Sequence, residues 1–199
     1  MQKFLSTRIS IVSRSKGSCR SAIDANGYIE REERDCEYDG HHYKPDAKED
    51  LVHKEVNLPE NAPEEFKDSA TLWNSVEMVE KSSKAQLCRH LKMSLPNEWT
   101  YEVAEEVVRK YVLDNFVSKG MCANWAIHDA VNEKGQRNLH FHCLLTLRAL
   151  DENGTVYFRS KYTAYSVSYG EGRLPDYGDL SATDMIKVKF PGFFNEGDK

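Results

Sequence analysis

The stretch NLHFHCLLTL, residues 138–147, decides how this chain is read. It holds neither Gly nor Pro and reads as a strand, and in a strand successive side chains leave opposite faces of the sheet. His140 and His142 therefore share one face, while Phe141 points into the opposite layer. Two imidazoles side by side can hold one metal. Upstream, MCANWAIH (121–128) reads as a second strand, joined to the first through the polar loop DAVNEKGQR. Antiparallel pairing of the two sets His128 across from the start of the next strand, near His140, so three imidazoles converge at one end of a hairpin. Three histidines leave coordination positions open, the arrangement of a catalytic rather than a structural metal site. Ordinary hydrogen-bonded strand histidines are the alternative.

Working outward, KFLSTRISIVS (3–13) places Leu5, Thr7, Ile9 and Ile11 on one face at period two, with Phe4, Arg8 and Val12 facing away, and reads as a strand. A polar loop follows, and Ser18 or Ser21 caps a helix over SAIDANGYIEREE, which contains Gly27 and Tyr28. EYDGHHYKPD carries the turn pair Asp39-Gly40 of a hairpin, and LVHKEVNLP reads as a strand ended by Pro59. A helix from Pro63 to about Lys81 fits Leu72, Trp73, Val76 and Val79 to a 3.6 period. AQLCRHLKMSLP sets Leu91, Met93 and Leu95 against Cys88, His90, Lys92 and Ser94, a strand with one polar face. Residues 98–118 give the longest amphipathic helix, with Val103, Val107, Tyr111 and Phe116 as core contacts and Gly120 as its stop. This order of elements describes an α+β domain whose antiparallel sheet is covered by helices.

The composition of the 199 residues, 40% apolar and 30% charged, is that of one globular domain and excludes collagenous or low-complexity chains. A core of this size folds without disulfide or metal staples, so a metal here would serve chemistry. Five scattered cysteines with no CxxC pair argue against a disulfide framework and a cysteine zinc site, and suit a reducing cytoplasm. No apolar run approaches the roughly 18 to 20 residues of a membrane span. The net charge of -5, from 27 basic and 32 acidic residues, speaks mildly against a nucleic-acid partner. The distribution speaks for one: residues 1–20 hold Lys3, Arg8, Arg14, Lys16 and Arg20 and no acid. Such a strip can bind phosphate in an acidic chain, or can simply be a solvated start.

Several blocks occur in the order found in a known family: SAIDANGYIERE, EYDG, VHKEVNLPENAPEEFKDSATLWNSVE, AQLCRHLKMSLP, GMCANWAIHD, and NLHFHCLLTLR followed by NGT. Over residues 3–158 the chain resembles the catalytic domain of the MobA/MobL mobilisation relaxases, within the HUH endonucleases, whose histidine, hydrophobic residue, histidine motif matches His140, Phe141 and His142. The resemblance implies a sheet with a ferredoxin/RRM-like palm over 1–158, and a divergent extension or tail over 159–199. It implies that His128, His140 and His142 hold a divalent ion, manganese or magnesium, with zinc also suited to imidazole ligands. It places Tyr28 on the family's nucleophile, which attacks a scissile phosphate to leave a 5' phosphotyrosine and a free 3' hydroxyl. Phenols ionise near pH 10 in water and are poor nucleophiles at neutral pH, so such a residue needs a neighbouring cation.

The implied substrate is single-stranded DNA at a transfer origin, tracked by Arg8, Arg14, Lys16 and Arg20 with bases stacked on aromatic rings. The implied partners are accessory mobilisation proteins and a conjugative coupling protein, in the cytoplasm with no membrane association. One departure stands out. The family usually has acidic residues where His90 and Lys92 stand, carboxylates that would orient the metal-binding imidazoles as a second layer of ligands. The exchange predicts slower chemistry. It also keeps open a nonenzymatic DNA-binding remnant, and the three histidines by themselves leave a zinc hydrolase in which Tyr28 is not a nucleophile.

Overall fold

A computed structural model of the protein describes residues 6–15, 21–132, 134–148 and 150. In chain order its elements are β1 (Thr7–Ser13), α1 (Ala22–Glu30), β2 (Arg34–Asp35), β3 (His42–Tyr43), β4 (Leu51–Asn57), a 3-10 turn at Glu64–Lys67, α2 (Ser69–Val79), β5 (Gln86–Ser94), α3 (Tyr101–Asn115), a second 3-10 turn at Val117–Lys119, β6 (Ala123–Val131) and β7 (Arg137–Thr146). Five strands form one sheet in the order β1-β5-β7-β6-β4, antiparallel throughout, and β2 pairs with β3 as a separate hairpin turned at Gly40. This is the α+β arrangement that the hydrophobic pattern indicates.

The pleat sorts the sheet's residues into two cores. Phe141, Cys143, Trp125, Ile127 and Leu91 pack under α3 with Val108, Tyr111 and Val112. Leu144, Ala126 and Cys88 face the other way and pack with Ile23 and Ile29 of α1 and Leu72 and Trp73 of α2. The chemistry-bearing residues of β7, His140 and His142, belong to the second face by parity, as the period-two reading requires.

Two expectations need correction. The helix expected from Pro63 to Lys81 is two pieces, because the Asp68 side chain accepts hydrogen bonds from Thr71 N and Thr71 Oγ1 at 2.8 and 2.6 Å and starts α2 afresh. On α3 the buried stripe is Ala104, Val108, Tyr111 and Val112, while Val103 is 36% exposed. Valines at 103, 107, 108 and 112 allow either register, and the sheet selects the one that also buries the small Ala104. Lys16, Arg20 and the extension 159–199 lie outside the described residues. No helix of the described residues is long and apolar enough to cross a membrane.

Gly27 sits inside α1 for a steric reason. After the helix the chain folds back so closely that a Cβ on Gly27 would lie 2.7 Å from the carbonyl oxygen of Glu32 and 3.2 Å from Cγ of Arg34. Helix propensity favours Ala over Gly by about 1 kcal/mol, whereas overpacking against backbone typically costs about 1 to 3 kcal/mol. The variant Gly27→Ala is therefore expected to lose stability despite its better helix former, read as a lower midpoint in urea denaturation. An unchanged or raised midpoint would show that the 31–34 segment moves aside freely.

Candidate nucleophile and metal-ligand site

Register brings the histidines together. His128 and His140 are directly opposed across β6 and β7, and the ring centroids of His128, His140 and His142 lie 5.1 to 5.5 Å apart. All three are buried. On the next strand His90 lies beside them, its Nε2 2.7 Å from His142 Nδ1. Helix α1 adds the tyrosine. Ser21 caps its start, accepting from Ile23 N and Asp24 N at 3.1 and 3.3 Å, and two turns on Tyr28 meets His142 edge to face with centroids 5.6 Å apart. Tyr28 is 37% exposed.

Burial keeps these imidazoles uncharged. It pushes His90 down to about 4, with the charges of Lys92 and Arg8 adding to the effect, and His140 down to about 4 against the pull of a hydrogen bond to the Asn138 carbonyl. His142 is lowered further still, by burial and by the three histidines around it. His128 is lowered by burial and by Arg31, against the pull of Asp50. A neutral imidazole has the lone pair that metal ligation needs.

Hydrogen bonds then fix which nitrogen carries the proton. His142 Nε2 is buried with no hydrogen-bond partner, a lone pair of the kind that a cation could take. For Nε2 to present its lone pair, Nδ1 must carry the proton and donate to His90 Nε2. In that tautomer a neutral histidine, His90, takes the accepting role that a carboxylate would. His140 has the same polarity, its Nδ1 2.8 Å from the Asn138 carbonyl. His128 differs. Arg31 Nη2, which can only donate, lies 3.0 Å from His128 Nδ1, so the proton sits on Nε2, 2.9 Å from the Ile29 carbonyl. Both nitrogens of His128 are engaged, and among the described residues no three His, Cys, Asp or Glu side chains are set to hold an ion as they stand. Ligation by His128 requires the other tautomer, with Nδ1 donating to Asp50 Oδ1, 3.3 Å away, and Nε2 released from Ile29.

The remaining candidates separate. Lys92 is opposite His142 in register but exposed, and it is His90 that bonds the imidazole. Arg8 is exposed on β1, paired in register with Lys92. Arg14 leaves the expected phosphate-binding strip, because its guanidinium bonds Glu77 Oε2 at 2.6 Å and the Glu77 carbonyl at 2.7 Å, bonds the Glu80 carbonyl, and lies 3.7 Å over the Tyr38 ring. Its charge serves packing. A one-dimensional charge count cannot distinguish such a pair from a solvated cation.

Similarity to known proteins follows this geometry. The model of the MobA/MobL family matches residues 20–181, which take in α1, the central strands and the histidine hairpin. The chain belongs to the MobA/MobL family. It is 37% identical over 162 residues to the conjugal transfer protein TraA of Agrobacterium fabrum, covering 73% of this chain and 14% of that protein. It is 34% identical over 144 residues to the probable mobilization protein MobA of Bifidobacterium longum, covering 72% of this chain and 24% of that one. The chain thus spans less than a quarter of the length of either relative. A chain of the solved structure described as "Molecular Basis of Vancomycin Resistance Transfer in Staphylococcus aureus" is similar with a TM-score of 0.74 and 25% identity, over 92% of this chain and 86% of that one.

Sequence reasoning missed two residues that organise this MobA/MobL site. Arg31, in the left-handed backbone region at φ 58° just after α1, bonds Asp50 Oδ1 and Oδ2 at 2.8 and 3.1 Å and the Tyr28 carbonyl at 2.6 Å, and lies 4.8 Å over the Tyr28 ring. Arg31 stands one helical turn after Tyr28, which is a signal of a kind, but nothing in the chain marks Asp50 as its partner. Burial alone would raise the Asp50 carboxyl, yet the Arg31 bonds and the neighbouring His128 outweigh it and hold the group at about 2. A depressed carboxyl contributes stability above its unfolded pKa, near 3.9, and loses it as pH falls through the folded value. Asp50→Asn is therefore expected to cost on the order of 2 kcal/mol at neutral pH, with the deficit closing between about pH 4 and pH 2. Urea titrations across that range check it; a deficit that persists below pH 2 would give the loss another cause.

Proposed function

We propose that this MobA/MobL domain nicks and rejoins single-stranded DNA at a transfer origin through a 5' phosphotyrosine on Tyr28. The observation that supports this most directly is the packing of an exposed phenol against a buried histidine cluster that retains an unpaired imidazole nitrogen. In the reaction the Tyr28 hydroxyl oxygen bonds phosphorus as the bond from phosphorus to the 3' oxygen breaks. The phenol loses its proton and the departing 3' oxygen gains one. Attack by a 3' hydroxyl runs the step backward, and because the phosphotyrosyl ester keeps the bond energy, rejoining needs no ATP.

His128, His140 and His142 are the residues that would hold a divalent ion, manganese or magnesium, with zinc also matched to imidazole donors. Such an ion supplies Lewis acidity toward the scissile phosphate. The chain's own residues do the rest. His90 orients His142, Arg31 fixes the plane of the Tyr28 ring and ties α1 to Asp50, and burial keeps the imidazoles neutral. The relatives' names, conjugal transfer and mobilization protein, support conjugative mobilisation as the setting, with accessory mobilisation proteins and a coupling protein as partners. One observation favours the second reading, a DNA-binding remnant without chemistry: both nitrogens of His128 are already bonded.

Incubation with a library of single-stranded oligonucleotides and manganese, followed by denaturing electrophoresis, separates these readings. A covalent band is expected, and a salt-sensitive complex that dissociates on denaturation would favour the remnant. Tyr28→Phe removes one hydroxyl and should abolish the band while leaving metal and DNA affinity nearly unchanged. A surviving band would hand the role to another tyrosine. His140→Ala should weaken manganese binding without unfolding the chain, since the two hydrophobic cores are built without the ion. Unaltered manganese affinity would place the ion elsewhere.

A further inference from the structure

A cleft of about 590 Å³ opens beside the histidine cluster, lined by Tyr28, His142, Arg8 and Lys92 among others. The placement follows from register. Arg8 opposes Lys92 across β1 and β5, and Lys92 opposes His142 across β5 and β7, so both cations stand on the face that carries the imidazoles. Both are exposed, and among the described residues neither has a carboxylate within ion-pairing distance. Arg14, Arg31 and Arg34, by contrast, are each committed to acids. Among the described residues, Asp24 is the single acid lining the cleft. Two uncompensated cations beside a nucleophile make poor neighbours for a divalent ion and good ones for a phosphodiester.

We propose that Lys92, together with Arg8, grips the phosphodiester presented to Tyr28 without help from a metal, so that Lys92 is a phosphate-binding residue of the cleft and not an orienting partner of the imidazoles. The proposal rests on the reading of Tyr28 as the nucleophile. It divides two tasks between two positions of β5 that share one face. His90 bonds His142 where a carboxylate would otherwise stand, and Lys92 supplies at the other position a charge that binds the strand directly. Substrate binding is then independent of the ion, while cation binding is weakened by the lysine.

The test uses the full chain in the Tyr28→Phe background, with a fluorescent oligothymidylate in EDTA for phosphate binding and manganese titration calorimetry for the ion. Lys92→Gln is expected to lower oligothymidylate affinity about three- to tenfold at low salt and to reduce the salt slope by about 0.7, the value for one phosphate contact on a single strand. Lys92→Arg should retain most of the affinity. A probe with uncharged methylphosphonate linkages should bind both proteins equally. Manganese affinity should rise in Lys92→Gln, opposite in sign to the DNA effect, whereas a merely structural role would move both the same way. Arg8→Gln should reproduce the DNA effect and be less than additive with Lys92→Gln. Unchanged affinity and slope in Lys92→Gln, or parallel loss of DNA and manganese binding, overturns the proposal. The adduct assay on the unaltered chain is scored apart: an adduct with no Lys92 effect refutes the phosphate grip alone, and a Lys92 effect with no adduct supports the grip and refutes nicking.

Discussion

Everything about this site depends on where α1 lies, and two buried carboxylates hold it there. Glu77 of α2 accepts from the Ala22 backbone N–H at 2.6 Å and Ser21 Oγ at 2.9 Å, so it anchors the start of the helix, while its second oxygen takes Arg14. Glu30, at the other end, bonds Arg34 at 2.6 Å, Ser69 Oγ at 2.9 Å and Asn124 Nδ2 at 2.7 Å. Asn124 in turn accepts from Asn26 and Trp73. Buried charges are tolerated only when their lone pairs are satisfied, and such a network defines position more than it adds stability. Here it ties α1 to α2 and β6, which sets Tyr28 at a fixed distance from His142.

Within that frame the electrostatics is divided by location. Acids and their partners sit toward β4, where Asp50 and Arg31 compensate each other beside His128. Toward β1, Arg8 and Lys92 have no carboxylate within ion-pairing distance among the described residues. The neutral imidazoles lie between.

Much of this was legible from period and order. The alternation in NLHFHCLLTL assigned the histidines to one face, and the loop between two strands predicted the antiparallel pairing that opposes His128 to His140. Tyr28 came from the resemblance to a family and not from periodicity, which gives no reason to single out one tyrosine of a short helix. What escaped depends on contacts distant in sequence. Arg31 touches Asp50 and His128, Arg14 touches Glu77, and nothing local marks an arginine as paired instead of solvated. The split at Asp68 was missed for the opposite reason, since a local cap interrupted a periodicity that continued across it.

The sorting of β7 by parity also limits how this chain can vary. Its odd-numbered residues fill the core under α3 and its even-numbered ones carry the imidazoles, so inserting or deleting one residue within the strand would exchange the two sets, sending Phe141 into the cleft and the histidines into an apolar layer. A length change in the turn between Val131 and Arg137, beyond the paired segment, avoids that inversion. The spacing of the histidine, hydrophobic residue, histidine triplet is thus tied to the pleat, whereas the hairpin tip is not.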